Sequence, residues 1–117
     1  MYKINNVIIN SFKSSLIASC QPLPQGPLDT PSFVLASAKA SIIGGAKGLR
    51  IEGFKNLKII KKNINLPVIG IKKRVSKQYP IIITPLVSDV EKLSELGAEI
   101  IAFDSTLRKR PYSVKSL

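Results

Sequence analysis

Short aliphatic runs separated by helix-period segments organise this chain. The runs at 16–19, 48–51, 68–71 and 100–103 each end at polar groups, namely Cys20-Gln21, Arg50 with Glu52, Lys72-Lys73-Arg74 and Asp104. Such runs predict buried strands, here over 16–19, 47–51, 67–71 and 99–103. Between them the apolar period changes to that of a helix. Thr30-Pro31 reads as an N-cap followed by proline at the first helical position, and Phe33, Val34, Ala38 and Ile42 continue a stripe to a stop at Gly44-Gly45. A second helix is predicted over 54–62, with Phe54, Leu57 and Ile60 inward and Lys55, Lys58, Lys61 and Lys62 outward. Ser88 and Glu91 have capping-box spacing and open a third helix, whose stripe is Val90, Leu93 and Leu96 and whose end is Gly97. Before it, Ile81-Ile82-Ile83 predicts a short extended piece that breaks at Thr84-Pro85.

Strands alternating with helices through short loops predict a parallel α/β fold with crossovers of one hand. The pattern contains four strands and three intervening helices, whereas a closed (β/α)₈ barrel takes eight of each and about 250 residues. The expectation is therefore half of a TIM barrel over 16–111, preceded by a lead-in helix at 1–15 and followed by a tail at 112–117. A half-barrel leaves two strand edges and an apolar face uncovered, so self-association or a partner completing the barrel is expected. The Pro- and Gly-containing loop at Pro22, Pro24, Gly26 and Pro27 is long enough to fold over a site at the first strand's carboxyl end.

Composition narrows the partners without naming one. The chain has 117 residues, 44% of them apolar, which suffices for one core, and a net charge of +11, which favours anionic ligands. A single Cys excludes an internal disulfide, and the absence of His leaves no ordinary zinc ligand set, so a metal-free cytoplasmic protein is expected. The first residues mix Ile4, Val7, Ile8, Ile9 and Phe12 with Lys3, Asn5, Asn6 and Asn10, too polar for a signal peptide or membrane span. A small basic module binding nucleic acid is the rival reading. Aromatic residues make up only 6% and do not interleave with the basic ones, so base-stacking platforms are poorly supplied and no nucleic-acid partner is expected.

A lysine at the carboxyl end of a barrel strand is suited to proton transfer or to carbonyl attack. Alternation along an extended strand puts Lys73 on the face of Ile69 and Ile71 and Lys72 on that of Val68 and Gly70, without saying which face lines the barrel. With an ordinary pKa of about 10.4, lysine acts as a base only where burial or cationic neighbours lower it, and Lys72 and Arg74 adjoin Lys73. A solvated strand end is the plain alternative. Arg50 offers a rigid fork of donors for a substrate oxygen, or else a salt bridge to Glu52 on the same face. Asp104 ends the last strand as a hydroxyl acceptor or as a turn residue. Gln21 is a neutral donor and acceptor, and otherwise a loop cap. Arg108, Lys109 and Arg110 would steer a phosphate or form a wet loop. Cys20, lacking a His partner, reads as a small buried residue, and Thr84 as a structural stop or weak substrate contact.

Ser19-Cys20-Gln21, Gly44-Gly45-Ala46, Gly48-Leu49-Arg50, Pro67-Val68-Ile69-Gly70-Ile71-Lys72-Lys73-Arg74, Ile83-Thr84-Pro85 and Ala102-Phe103-Asp104-Ser105-Thr106, followed by Arg108 and Arg110-Pro111, occur here in one order. Taken together they resemble the N-acylglucosamine-6-phosphate 2-epimerase family, also called N-acetylmannosamine-6-phosphate 2-epimerase, over the N-terminal half of its barrel. The resemblance implies a cofactor-free isomerase of sialic acid degradation acting on a phosphorylated amino sugar. It implies Lys73 as the catalytic residue, Gln21, Arg50 and Asp104 as substrate-binding, and Glu52 and Arg108 as further candidates. It also implies a glutamate and glycine-rich phosphate loops in a second half that this sequence does not contain, so that the chain alone is expected to be weak or inactive. After Arg110-Pro111 the family usually continues Asp-Gly, where this chain has Tyr112-Ser113. A Schiff-base lyase or aldolase is the alternative within enzymes, because the same lysine can attack a carbonyl.

Overall fold

The four aliphatic runs pair side by side in chain order, all parallel. The computed structural model describes residues 6–117. Strands β1 (Ile17–Cys20), β2 (Gly48–Glu52), β3 (Val68–Ile71) and β4 (Ile100–Ile101) form one sheet in the order β1-β2-β3-β4. Helix α1 (Asn6–Ser11) leads in, and α2 (Pro31–Ile43), α3 (Phe54–Asn63) and α4 (Val87–Glu95) make the three crossovers. This is the β/α repeat of a barrel taken about halfway round. The expected lead-in helix is thus seen over Asn6–Ser11, and its first five positions lie outside the described residues.

Register separates the two sheet faces. Ala18 pairs with Leu49 and Leu49 with Val68, while Cys20 pairs with Ile51, Ile51 with Gly70 and Gly70 with Ile101. These residues face the helices, where Val34, Ala38, Leu57, Ile60 and Leu93 join them in the core. Burying such an aliphatic side chain contributes roughly 1.5–3 kcal/mol, so this layer holds the helices to the sheet. The opposite face carries Ser19, Arg50, Ile69 and Ile100 in one row, with Glu52 and Ile71 paired in the next. Alternation then places Lys73 on this second, concave side, the point that sequence alone left open.

Local chemistry accounts for most element ends. The Thr30 hydroxyl accepts the Phe33 N–H at 3.3 Å, and Pro31 occupies the first turn of α2. Gly53 alone connects β2 to α3 at φ +90, which a side-chain-bearing residue would adopt only with strain. Its N–H also reaches the Ile71 carbonyl at 3.0 Å, which ties the turn to β3. Lys61 pairs with Glu99, whose other oxygen accepts the Val68 N–H at 2.7 Å.

Three expectations are corrected. The last strand is two residues rather than five, because beyond Ile101 the backbone turns to the 83–84 segment: Thr84 donates to the Ala102 carbonyl at 2.7 Å and Asp104 N–H donates to Ile83 at 3.0 Å. The capping box at Ser88 and Glu91 does not form. Helix α4 starts two residues earlier, behind Leu86 and with no side-chain cap, and the buried Asp89 in its first turn pairs with Arg74. Phe33 lies 39% exposed, beside rather than on the α2 stripe, which runs through Val34, Leu35, Ala38 and Ile42.

Gly70 sits where β3 meets the helices. A Cβ there would lie 2.9 Å from the Ala98 Cβ and 3.3 Å from a Leu93 methyl. Gly70→Val should therefore destabilise the fold by about 1–3 kcal/mol, read as a lower urea midpoint, and an unchanged midpoint would show that the layer can yield.

Candidate active site

Beyond Ile71, the β3 chain leaves the parallel ladder and is gripped from two directions. Lys73 forms an antiparallel bridge with Ile83, Arg74 N–H donates to Ile82 at 2.9 Å, and Thr84 N–H donates to Lys72 at 2.7 Å. The Thr84 hydroxyl accepts the Lys72 N–H at 3.2 Å while donating to Ala102. Thr84 is fully buried at φ 48, a costly conformation for a β-branched residue, especially one preceding proline. Its hydroxyl is fully engaged in joining the ends of β3 and β4, so the expected substrate contact is not available.

The three cations at this strand end separate into distinct environments. Arg74 makes a two-pronged contact with Asp89, Nε to Oδ2 and Nη2 to Oδ1, both 2.7 Å. That hydrogen-bonded carboxylate raises the Arg74 pKa further above its ordinary range, against a smaller opposing effect of desolvation. Lys72 Nζ lies 3.9 Å from the Glu52 carboxylate and 5.2 Å from the centre of the Phe54 ring, a weak ion pair with a cation–π contact. The Lys73 amine has no hydrogen-bond or ion-pair partner among the described residues. Lys72 and Arg74 do adjoin Lys73 as expected, and each of these two neighbours stands against a carboxylate.

Lys73, Asp104 and Arg108 line one open cleft of about 920 Å³, with Leu23 and Pro24 of the β1–α2 loop on its wall. Asp104 is 14% exposed at its side chain and accepts the Thr106 N–H at 2.8 Å and an Arg108 guanidinium N–H at 2.7 Å. Hydrogen bonds from the Thr106 hydroxyl and N–H, then Arg108, hold its carboxyl below the usual carboxylate range. Arg110 donates to the carbonyls of Asp104, Thr106 and Tyr112, so it closes the loop from within. Of the expected basic run, Arg108 and Arg110 are thus committed to the loop, and Lys109 is exposed.

Gln21 and Arg50 lie elsewhere on the concave side. Gln21 Nε2 donates to the Ser19 hydroxyl at 2.6 Å, and Ser19 pairs in register with Arg50. Arg50 makes no side-chain hydrogen bond or ion pair among the described residues, so the expected alternative of a bridge to Glu52 is absent there. Neither Gln21 nor Arg50 lines the cleft of Lys73 and Asp104. Glu52 faces a smaller hollow of about 380 Å³ with Asp29, Asn56 and Lys72. The sequence reading missed Asn56, which is buried and donates to Asp29 at 3.0 Å and to the Glu52 carbonyl at 3.1 Å, and it missed Asp89. The only available signal was a polar residue on an otherwise apolar helix face. Among the described residues no group of three His, Cys, Asp or Glu side chains is placed to hold a metal ion.

Four parallel strands joined by crossover helices, with a cleft beyond their carboxyl ends, place the chain in the β/α-barrel class, of which it builds one side. A profile described as "Putative N-acetylmannosamine-6-phosphate epimerase" matches residues 34–117, and the chain belongs to that family. It is 50% identical to a relative from Glaesserella parasuis over 93% of this chain and 47% of the relative, and 52% identical to one from Pasteurella multocida over 89% and 46%. Both carry the name "Putative N-acetylmannosamine-6-phosphate 2-epimerase". The solved N-acetylmannosamine-6-phosphate 2-epimerase from Clostridium perfringens superposes with a TM-score of 0.85 at 35% identity, over 95% of this chain and 48% of that one. The chain spans about half the length of the curated relatives it matches.

Arg74→Met should cost about 2–4 kcal/mol by leaving the Asp89 carboxylate buried without its partner, and adding Asp89→Leu should recover most of the loss. Urea unfolding of both singles and the double checks this, and additive losses would refute the coupling. For Asp104, whose folded pKa is depressed, the linked stabilisation is present above the unfolded value near 3.9 and is lost as pH falls through the lower folded value. Carboxyl NMR should show an Asp104 midpoint below that of a free aspartate, moved upward by Thr106→Val; a midpoint unmoved by that change would contradict the assigned cause.

Proposed function

We propose that this chain supplies the N-terminal half of an N-acetylmannosamine-6-phosphate 2-epimerase site, with Lys73 as the group that moves the C2 proton. The supporting observation is that Lys73 is the cation at the β3 end whose amine stays unpaired among the described residues while lining the cleft. Inverting C2 of an amino sugar requires ring opening, so that C2 lies next to the C1 carbonyl. A proton is then removed from one face and one is returned to the other. Lys73 takes the first role. Asp104, ionised and fixed by its loop, accepts a sugar hydroxyl. Arg50, with its fork uncommitted, holds a substrate oxygen or the developing enolate, and Gln21 orients the N-acetyl amide or a hydroxyl.

The acid for the opposite face and the phosphate loops belong to the part of the family's length that this chain does not span. That part would also cover the concave face and exclude water from the cleft. Each outer strand, β1 and β4, has a single neighbour in the sheet, so a covalently continuous half, a separate partner or a second copy could pair there. No helix among the described residues is long and apolar enough to cross a membrane. We place the reaction in the cytoplasm, in breakdown of sialic acid.

The test is proton NMR of N-acetylmannosamine 6-phosphate in deuterated water with the polypeptide or complex that carries this chain. The C2 hydrogen should exchange for deuterium as the epimer forms, and Lys73→Ala should slow this roughly 10²- to 10⁴-fold. Unchanged exchange in that variant would remove Lys73 from its role. Borohydride should trap no adduct, and a covalent product on Lys73 would instead establish Schiff-base chemistry.

A further inference from the structure

We propose that Glu52 is the positioning residue for Lys73, a role that rests on the reading of Lys73 as the proton-transfer group. The parallel ladder between β2 and β3 ends at the pair Glu52 and Ile71, so strand β2 has no further main-chain carbonyl to offer Lys73. The Glu52 side chain extends the ladder by one rung: its Oε1 accepts the Lys73 N–H at 3.0 Å. On its other edge Lys73 is held by the bridge to Ile83. The main chain that carries the amine is thus fixed from both directions, although it lies outside any strand.

Glu52 is itself anchored. It is only 6% exposed, and the Asn56 amide that holds its carbonyl also reaches Asp29. Asp29 in turn accepts the Gln25 N–H at 2.9 Å, so the loop walling the Lys73 cleft is tied to the same corner. A carboxylate so enclosed, facing the smaller hollow rather than the cleft of Lys73, is poorly placed to touch substrate. Its acceptor oxygen matters more than its charge, because the 3.0 Å contact to the Lys73 N–H is a full hydrogen bond and the 3.9 Å approach to Lys72 is not. Losing that oxygen frees the Lys73 main chain to shift, and a displacement of about 1 Å at a reacting group can cost 10²-fold in rate.

Steady-state kinetics of the complete epimerase carrying this chain tests the role. Glu52→Ala should lower kcat roughly tenfold to a hundredfold while KM changes less than about threefold. Glu52→Gln, whose amide oxygen accepts the same N–H, should recover most of the lost kcat. Should Glu52→Ala fail to fold, as seen by circular dichroism, Glu52→Gln decides alone: a folded Gln variant with kcat down a hundredfold overturns the proposal. A full kcat in Glu52→Ala, or a loss confined to KM, overturns it as well. Lys73→Ala run in parallel separates the two claims. Loss of C2 exchange in Lys73→Ala with full kcat in Glu52→Ala sinks only the Glu52 role, and retained exchange in Lys73→Ala sinks both.

Discussion

The short antiparallel contact between 72–74 and 82–84 is the constraint on which the rest of this rim depends. A parallel sheet ends with its last carbonyls and N–H groups pointing at nothing, and buried groups of that kind are costly. Here the chain folds back on itself after β3, so that Lys72, Lys73 and Arg74 pair with Ile82, Ile83 and Thr84. Thr84 then passes the connection to Ala102, and the main chain of Asp104 closes on Ile83. Lys73 and Asp104, two of the residues lining the main cleft just beyond adjacent strands, are thereby carried on one hydrogen-bonded frame rather than on independent loops.

That frame explains why a buried threonine persists at positive φ. Strain of this order, about 1–3 kcal/mol, survives only where the surroundings over-determine it. Thr84 has two side-chain hydrogen bonds, a main-chain bond to Lys72 and complete burial working against relaxation. The neighbouring ion pair of Arg74 with Asp89 anchors the same corner to the first turn of α4, where a carboxylate also complements the helix dipole. Helix, fold-back and strand end are therefore coupled at one point.

Much of the fold was legible because aliphatic runs ending in polar residues have few alternatives when helix-period segments lie between them. The strands, their parallel sense and the half-barrel followed from that pattern, as did Lys73 just past β3, whereas Asp104 lies on the loop beyond a β4 that ends at Ile101. What stayed hidden depended on partners distant in sequence. Alternation could not choose the concave face until Gly70 was seen against Leu57, Leu93 and Ala98. Ser88 and Glu91 have the spacing of a cap, yet the helix starts behind Leu86 with no side-chain cap, and Asp89 between them is buried against an arginine fifteen residues earlier. Thr84 beside Pro85 reads as a breaker, and nothing local reveals that its hydroxyl joins two strand ends. Arg50 and Glu52 share a sheet face, but the Glu52 carboxylate is engaged by the Lys73 N–H just beyond β3.

The outward lysines of α3 have a further electrostatic meaning. Around the cleft, Arg74, Lys72 and Arg108 each stand against a carboxylate, whereas Lys58 and Lys62 of α3 are exposed and line neither hollow at the strand ends. The surplus behind the +11 charge thus includes a patch directed at bulk water, away from the mouth. Mobile counterions will gather there and mask it within roughly 8–10 Å at physiological ionic strength, while pairs made to the buried carboxylates of Glu52 and Asp89 are screened less. Colloidal behaviour and the polarity of the mouth are consequently governed by different sets of residues.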